Sequence, residues 1–404
     1  MRIGRYENPY LTVEWDREPP AGTRCNPIRL ETPDRGLTAG WLYSRGGERT
    51  VVCLMHPRAN FSRHYAVPGL VDAGFAVFCQ NSRWLGNDAT LIHETLVLDV
   101  AAGVQEMSRR FERVVLCGNS GGGSLYTFYL SQALASSEDR LRETAAGDPL
   151  DLGSFELPPA AAMIYLAAHP GEGHFLLQAI DPSVVDEKDP LSCDPELDMY
   201  APENGFAEPP AKSRYSDEFL GRYRAAQRAR IERLDQIARE RVARRQAARA
   251  RVRKGSARDA REAIATEYLV VYRTEADPRY TDLSLDPSDR DYGSLFTHRP
   301  DLFNYGAVGF ARVLTPEAWL STWSGLASRA EIETTGPRMT LPALLISYRR
   351  DNCILPSATA LIASSLGTRE LTRVEADGDH YGYPAETGRD VAIATIADWL
   401  RKTD

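Results

Sequence analysis

The feature that most constrains this chain is an apolar run that ends in glycines clustered around one serine. The run Val114–Cys117 leads into Gly118-Asn119-Ser120-Gly121-Gly122, which fits the pattern G-x-S-x-G, and a helical pattern follows. A serine hydroxyl becomes a nucleophile only in an exposed position beside a base, and a cramped strand-to-helix turn provides that position. The pattern predicts a nucleophile elbow at Ser120. The alternative is a glycine-rich structural turn with an idle serine.

Length and composition narrow the class of protein. A chain of 404 residues predicts one large domain with an insertion, or two domains. Its net charge of −8 argues against nucleic acid as the main partner. The first residues lack a signal-peptide pattern, and no apolar run approaches the ~20 residues that span a bilayer. Cys53, Cys79 and Cys117 lie in apolar runs, so we expect buried thiols and a cytoplasmic protein.

Short apolar strands alternate with helices along both flanks of the chain. The predicted strands are 27–32, 37–44, 49–55, 75–79, 114–117, 160–168, 341–348 and 371–374. The predicted helices are 62–74, 90–111, 358–366 and 390–402. This alternation predicts an α/β fold with a mostly parallel sheet covered by helices on both faces.

A long stretch of different character separates the two flanks. We expect residues 169–336 to form a mainly helical cap inserted into a core of residues 1–168 and 337–404. A basic helix is predicted over 216–254, with Ser216 as N-cap and Gly255 as stop.

The basic helix has several interpretations. Residues 211–262 hold 17 Lys and Arg against 7 Asp and Glu. The helix is expected to dock on the core or on a second subunit, which predicts a homodimer through this region. A basic surface for an anionic substrate tail, such as coenzyme A phosphates, is the alternative, whereas nucleic acid is disfavoured. The aromatic-rich segment 268–323 fits either a cap over a pocket or plain core packing.

Taken together, these features resemble the α/β-hydrolases. The resemblance rests on a strand ending at His56, the elbow, and an Asp and a His after later strands, in the order Ser…Asp…His. It covers residues 27–168 and 337–404. It implies an α/β-hydrolase fold with Ser120 as nucleophile, His380 as base and Asp351 as the acid that orients the base.

Other residues compete for these roles. The histidines that fit the base less well are His56, His64, His93, His169, His174 and His298. The rival acids are Asp377, Asp379 and Glu172. Cys353 is expected to be a buried spectator. No zinc-like spacing, dinucleotide motif or phosphate loop is present, so we expect neither a metal nor a cofactor.

An oxyanion hole needs two donors where negative charge develops. The backbone N–H of Gly121 is the first. The family usually has His-Gly after the third strand, whereas this chain has His56-Pro57, and proline has no N–H. Arg58 is therefore the expected second donor, with Ala59 next. The Arg58 side chain is expected either to meet a substrate carboxylate or to be a surface arginine paired with an acid.

These observations predict a serine hydrolase that cleaves a carboxylic ester of a bulky small molecule through an acyl-enzyme. A thioesterase, a lactonase and a C–C bond hydrolase with the same triad are alternatives. A non-catalytic binding protein on a hydrolase scaffold is the hypothesis from another class. The expected partner is a small-molecule substrate, with neither nucleic acid nor membrane.

Overall fold

The computed structural model describes residues 13–252 and 257–403. The strands of these ranges are β1 (Arg24–Glu31), β2 (Leu37–Ser44), β3 (Thr50–Met55), β4 (Ala76–Asn81), β5 (Arg113–Asn119), β6 (Ala162–Leu166), β7 (Leu269–Val270), β8 (Val313–Leu314), β9 (Ala343–Tyr348) and β10 (Leu371–Ala376). Within the described ranges, eight of them form the main sheet, in the order β1-β2-β4-β3-β5-β6-β9-β10. The other two, β7 and β8, pair with each other.

The main sheet is mostly parallel, as predicted. β1 and β2 form an antiparallel hairpin, and β2 also runs antiparallel to β4. Every other pairing in the sheet is parallel. Each residue of β3, β4 and β6 is buried. Such continuous burial is typical of parallel strands that helices cover on both faces.

The helices of the described ranges are α1 (Ala66–Asp72), α2 (His93–Ser108), α3 (Gly121–Ala133), α4 (Glu172–Ala179), α5 (Asp217–Val252), α6 (Ala257–Ile264), α7 (Pro300–Phe303), α8 (Pro316–Ala318), α9 (Ile332–Thr335), α10 (Pro356–Ser365) and α11 (Arg389–Lys402). α1 and α11 pack together, as do α2 and α3. Successive residues of a strand face opposite sides of its sheet. Val52 and Leu54 accordingly join the core with α1 and α11, whereas Val51 and Cys53 join the core with α2 and α3.

Residues 169–336 lie between β6 and β9. In the described part of this segment no strand joins the main sheet, and its regular structure is the helices α4 to α9 with the β7–β8 pair. Its status as a separate cap domain stays a prediction. The long basic helix is present as α5, and Ser216 Oγ accepts a hydrogen bond from the N–H of Phe219 (3.1 Å), which confirms the N-cap. The predicted stop, Gly255, lies outside the described residues.

The apolar face of α5 docks on its own chain. Ile231, Leu234 and Val242 are buried in one cluster with Trp319 and Trp323. The helix was expected to dock on the core, but the buried cluster that receives it belongs to residues 169–336 themselves; a homodimer through this region stays a prediction.

The arginines of α5 are largely paired with acids. The pairs with neighbouring segments are Arg224–Asp277, Arg230–Glu187, Arg233–Glu187, Arg244–Glu267, Arg245–Glu317 and Arg249–Asp148. Much of the helix charge is thus balanced within the chain. This balance counts against the hypothesis of a basic surface for an anionic substrate tail.

The three cysteines of the apolar runs behave as predicted. Cys53, Cys79 and Cys117 are free and buried, and burial raises the pKa of each thiol. A separate observation concerns membranes: within residues 13–252 and 257–403, no helix has both the length and the apolarity to cross a bilayer.

Candidate active site

The glycine-flanked serine occupies a sharp turn between a strand and a helix. β5 ends at Asn119, α3 begins at Gly121, and Ser120 between them has φ +53° and ψ −124°. A positive φ is strained for any residue other than glycine, so the surrounding structure must impose it. A Cβ on Gly118 would lie 2.5 Å from the backbone of Gly122, and one on Gly122 would lie 2.3 Å from the Met55 carbonyl oxygen. Only glycine fits at these two positions, and the turn has the geometry of a nucleophile elbow.

The structure brings together the three residues predicted as nucleophile, base and acid. Their parent strands β5, β9 and β10 are parallel, so Ser120, Asp351 and His380 all follow carboxyl ends at one edge of the sheet. His380 Nε2 lies 3.2 Å from Ser120 Oγ, and His380 Nδ1 lies 2.9 Å from Asp351 Oδ2. These distances assign Nδ1–H as the donor to the carboxylate and leave Nε2 to accept from the hydroxyl.

Asp351 is fixed on both of its oxygens. Its Oδ1 accepts hydrogen bonds from the backbone N–H groups of Cys353 (2.7 Å) and Ile354 (2.8 Å), while Oδ2 faces His380. The side chains of Asp351 and His380 are 1% and 4% exposed. Burial lowers the pKa of His380, but the Asp351 carboxylate outweighs it, so the pKa lies above its ordinary value of 6.5. The arrangement orients the imidazole and favours its cation.

The rival acids have other partners. Asp377 pairs with Arg350 (2.8 Å), and Asp379 accepts from the backbone N–H groups of Tyr381 and Tyr383. Their interpretation as solvated or loop-capping carboxylates is confirmed. Burial raises the pKa of the Cys353 thiol well above its usual range, which agrees with its expected spectator role.

A cavity opens beside Ser120. It is lined by Val13, His56, Arg58, Ala59, Phe61, Asn119, Ser120, Leu295, Phe296, Phe310, His380 and Tyr381. Apolar and aromatic side chains form most of the wall. Phe296 and Phe310 come from the aromatic-rich segment, whereas Trp319 and Trp323 of the same segment are core residues. The segment therefore supplies both pocket-lining and core residues, while its role as a cap stays a prediction.

The expected second oxyanion donor is not free in this structure. The backbone N–H groups of Arg58 and Ala59 both donate to the ring nitrogen Nδ1 of His56, each over 3.0 Å. The loop therefore turns these donors onto a histidine ring and not into the cavity. Gly121 keeps its predicted position: as the first residue of α3, its N–H has no acceptor within the helix.

The Arg58 side chain is buried and paired. Its guanidinium contacts Glu172 (Nε to Oε1, 3.3 Å) and Asp88 (3.6 Å), and it stacks on the rings of Phe310 and Trp323 at 4.8 and 4.9 Å. The predicted pairing with an acid is confirmed, whereas the predicted surface position is wrong, because the Arg58 side chain is only 7% exposed. Burial raises the pKa of Glu172, but neighbouring groups, of which Arg58 contributes most, more than reverse this and bring the value to about 2.

Neutral histidines surround this ion pair. His169 Nε2 lies 3.8 Å from Glu172 Oε1, and burial lowers the pKa of both His169 and His93 to about 4. Burial also holds the pKa of His56 well below its usual range. Sequence reasoning set these residues aside as poor candidates for the base. The positions of His56 and His169, each close behind a buried strand, were the available signal.

Metal-ligand arrangements were searched in the same ranges. Among the described residues, no three or more His, Cys, Asp or Glu side chains are grouped so as to hold a metal ion.

Comparison with known proteins gives structural likenesses only. No protein-family model matches the chain, and no curated protein does. DcsB in complex with a substrate analogue is similar at 10% identity and TM-score 0.49, over 94% of this chain and 99% of that one. The esterase domain of a Rhodothermus marinus protein is similar at 12% identity and TM-score 0.45, over 94% and 98%. A hypothetical protein from Pseudomonas aeruginosa is similar at 14% identity and TM-score 0.49, over 97% and 98%.

These likenesses are too weak to be evidence for an activity. The fold is defined by the chain itself: a mostly parallel sheet flanked by helices, with one antiparallel strand second in order and the elbow after the fifth strand. This is an α/β-hydrolase fold.

Proposed function

We propose that this protein is a serine hydrolase that cleaves a carboxylic ester of a bulky small molecule through an acyl-enzyme. The observation that carries the proposal is the line of contacts from Ser120 Oγ through His380 to Asp351, at 3.2 and 2.9 Å. An alcohol, an imidazole and a carboxylate in this order form a complete nucleophile-and-base system.

Each step uses the same three groups. Ser120 Oγ attacks the ester carbonyl carbon while its proton passes to His380 Nε2, and the carbonyl electron pair moves onto the oxygen. When the tetrahedral intermediate collapses, the C–O bond to the alcohol breaks, and the alcohol leaves with the proton from His380. Water then repeats the sequence on the acyl-enzyme and releases the carboxylic acid, which restores the Ser120 hydroxyl.

The cavity wall supports a bulky, apolar acyl or alcohol group. Phe61, Phe296 and Phe310 line the space beside Ser120. Aromatic walls gain binding free energy from large apolar groups and none from small polar ones.

A substrate panel with a nucleophile variant tests the proposal. We expect p-nitrophenyl esters to be hydrolysed faster as the acyl group grows from acetyl to a branched or aromatic group. Ser120→Ala should lower kcat on the order of 10³–10⁶-fold, while the exposed Ser364→Ala control keeps wild-type rates.

Two outcomes would count against the proposal. Near-normal turnover by Ser120→Ala removes the serine from the mechanism. Faster cleavage of thioesters or lactones that carry the same acyl group moves the assignment to one of those classes.

A further inference from the structure

The loop after β3 holds the His56 ring in one orientation. Two backbone N–H groups, those of Arg58 and Ala59, point at its Nδ1 over 3.0 Å each. A ring nitrogen that accepts from two donors carries no proton of its own. Burial also holds the pKa of this ring well below its usual range, so the imidazole is neutral. The single ring proton therefore sits on Nε2.

His56 Nε2 lies beside Gly121, the residue after the serine: it would be 2.9 Å from a Cβ built there. His56 lines the same cavity as Ser120 and His380. Within the described part of the chain, no group accepts a hydrogen bond from His56 Nε2, although His56 is only 5% exposed. A donor on a cavity-lining residue that has no protein acceptor is suited to a ligand atom.

His56 Nε2 and the backbone nitrogen of Gly121 are close enough to donate to one oxygen. A Cβ built on Gly121 would lie 2.9 Å from His56 Nε2. Since a Cβ sits about 2.5 Å from its own backbone nitrogen, the Gly121 nitrogen and His56 Nε2 are at most about 5.4 Å apart. One oxygen that accepts from both at about 2.9 Å can bridge donors up to about 5.8 Å apart.

We propose that the His56 side chain is the second oxyanion donor, with Nε2–H acting beside the backbone N–H of Gly121. This inference rests on the proposed function, and it assigns a catalytic role to a residue that sequence reasoning treated only as a poor base. The loop N–H groups act indirectly: they fix the tautomer, and by donating to Nδ1 they orient the Nε2–H.

The Glu172 carboxylate lies near the proposed oxyanion position, and it is tolerated there because an ion pair with Arg58 balances its charge. Glu172 Oε1 would lie 2.8 Å from the same Gly121 Cβ and would repel a developing oxyanion if it were unpaired. Arg58 pairs with both oxygens of Glu172, at 3.3 and 3.5 Å. The rival donor, His169, also lies close (3.0 Å from that Cβ), but it lines a separate cavity, whereas His56 lines the one beside Ser120.

Two substitutions at His56 distinguish the loss of the Nε2–H donor from the loss of the hydrogen bonds that Nδ1 accepts from the loop. In His56→Asn, the amide oxygen can accept from the loop as Nδ1 does, but no donor reaches the Nε2 position. In His56→Gln, the longer amide reaches that position and restores a donor. On the best p-nitrophenyl ester, His56→Asn should lose about 10²–10³-fold in kcat with little change in KM, and His56→Gln should recover part of the loss. The control His298→Asn, at an exposed histidine whose Nδ1 contacts the backbone carbonyl of Tyr292, should keep wild-type rates.

Inhibition by a trifluoromethyl ketone, whose serine adduct carries an oxyanion, supplies a second readout. In His56→Asn the inhibition constant should rise by the same factor by which kcat/KM falls. If the Asn variant does not fold, the inhibition constant of His56→Gln still provides a test. A His56→Asn kcat within about threefold of wild type, or a Gln variant no better than Asn in both assays, overturns the inference. Ser120→Ala is assayed in parallel. If Ser120→Ala loses activity while His56→Asn does not, only the inference about His56 fails. If Ser120→Ala keeps its activity, both the proposed function and the inference about His56 fail.

Discussion

The main sheet and residues 169–336 both line the cavity and both have apolar cores, but buried ion pairs contribute differently to each. β3 and β5 are buried strands joined by a parallel hydrogen-bond ladder, and apolar side chains fill both faces. Residues 169–336 have an apolar cluster of their own, and they add ion pairs with buried members: Arg230–Glu187 lies within the segment, and Arg58–Glu172 joins it to the loop after β3. Apolar packing does not change with pH, whereas a buried ion pair does. Ser120, Asp351 and His380 follow strands of the main sheet, whose apolar packing is less sensitive to pH. Part of the pocket wall belongs to residues 169–336, whose ion pairs are more sensitive to pH.

The largest expected effect tests the sheet side of this comparison. Asp351→Asn removes the charge that stabilises the His380 cation, so kcat should fall on the order of 10³–10⁴-fold with little loss of thermal stability. The base works only as neutral imidazole, so wild-type kcat/KM should fall as the pH drops through a His380 pKa above 6.5. In the variant that acidic limb should move to lower pH, because the carboxylate that raises the pKa is gone.

A matched carboxylate provides the control for this variant. Asp377→Asn removes an acid near the same edge of the sheet that pairs with Arg350 at the surface. Its pH–rate profile should follow that of the wild type. An unchanged acidic limb in Asp351→Asn would contradict the assigned role of that residue.

A smaller effect tests the ion-pair side. Glu172→Gln removes the charge of the buried partner of Arg58 and leaves the half-exposed Asp88 in place, and this should cost about 3 kcal/mol in the free energy of unfolding at pH 7. The pKa of Glu172 is about 2 in the folded protein against 4.5 ordinarily. The lowered value means that this contribution is present above pH 4.5 and is lost as the pH falls towards 2. Denaturant unfolding at several pH values measures both effects.

Two further variants sharpen that test. In Arg58→Met combined with Glu172→Gln, neither charge remains, so much of the lost stability should return. Glu333→Gln, which removes an exposed acid 3.9 Å from His174, should change stability by less than about 0.5 kcal/mol. A Glu172→Gln protein as stable as the wild type at pH 7 would show that the pair does not hold this region.

The fold and the grouping of Ser120, His380 and Asp351 were accessible from the sequence because their signals are local. A buried strand, a glycine-flanked serine and a capped helix each leave a pattern within a few residues, and the parallel sheet then brings the strand ends together. The partners of Arg58 were not accessible, because Glu172 is 114 positions away and nothing in the local pattern encodes that distance. The His56 contacts were missed for another reason. Knowing that Pro57 lacks an N–H does not reveal that the next two N–H groups turn back onto the preceding ring.

The most direct measurement of the central claim is covalent labelling of the native protein with a fluorophosphonate, read by intact mass and peptide mapping. The account predicts one adduct per chain, located on Ser120, with labelling slowed in Asp351→Asn and absent in Ser120→Ala. A native protein that acquires no adduct, or that carries it on another residue, would contradict the account.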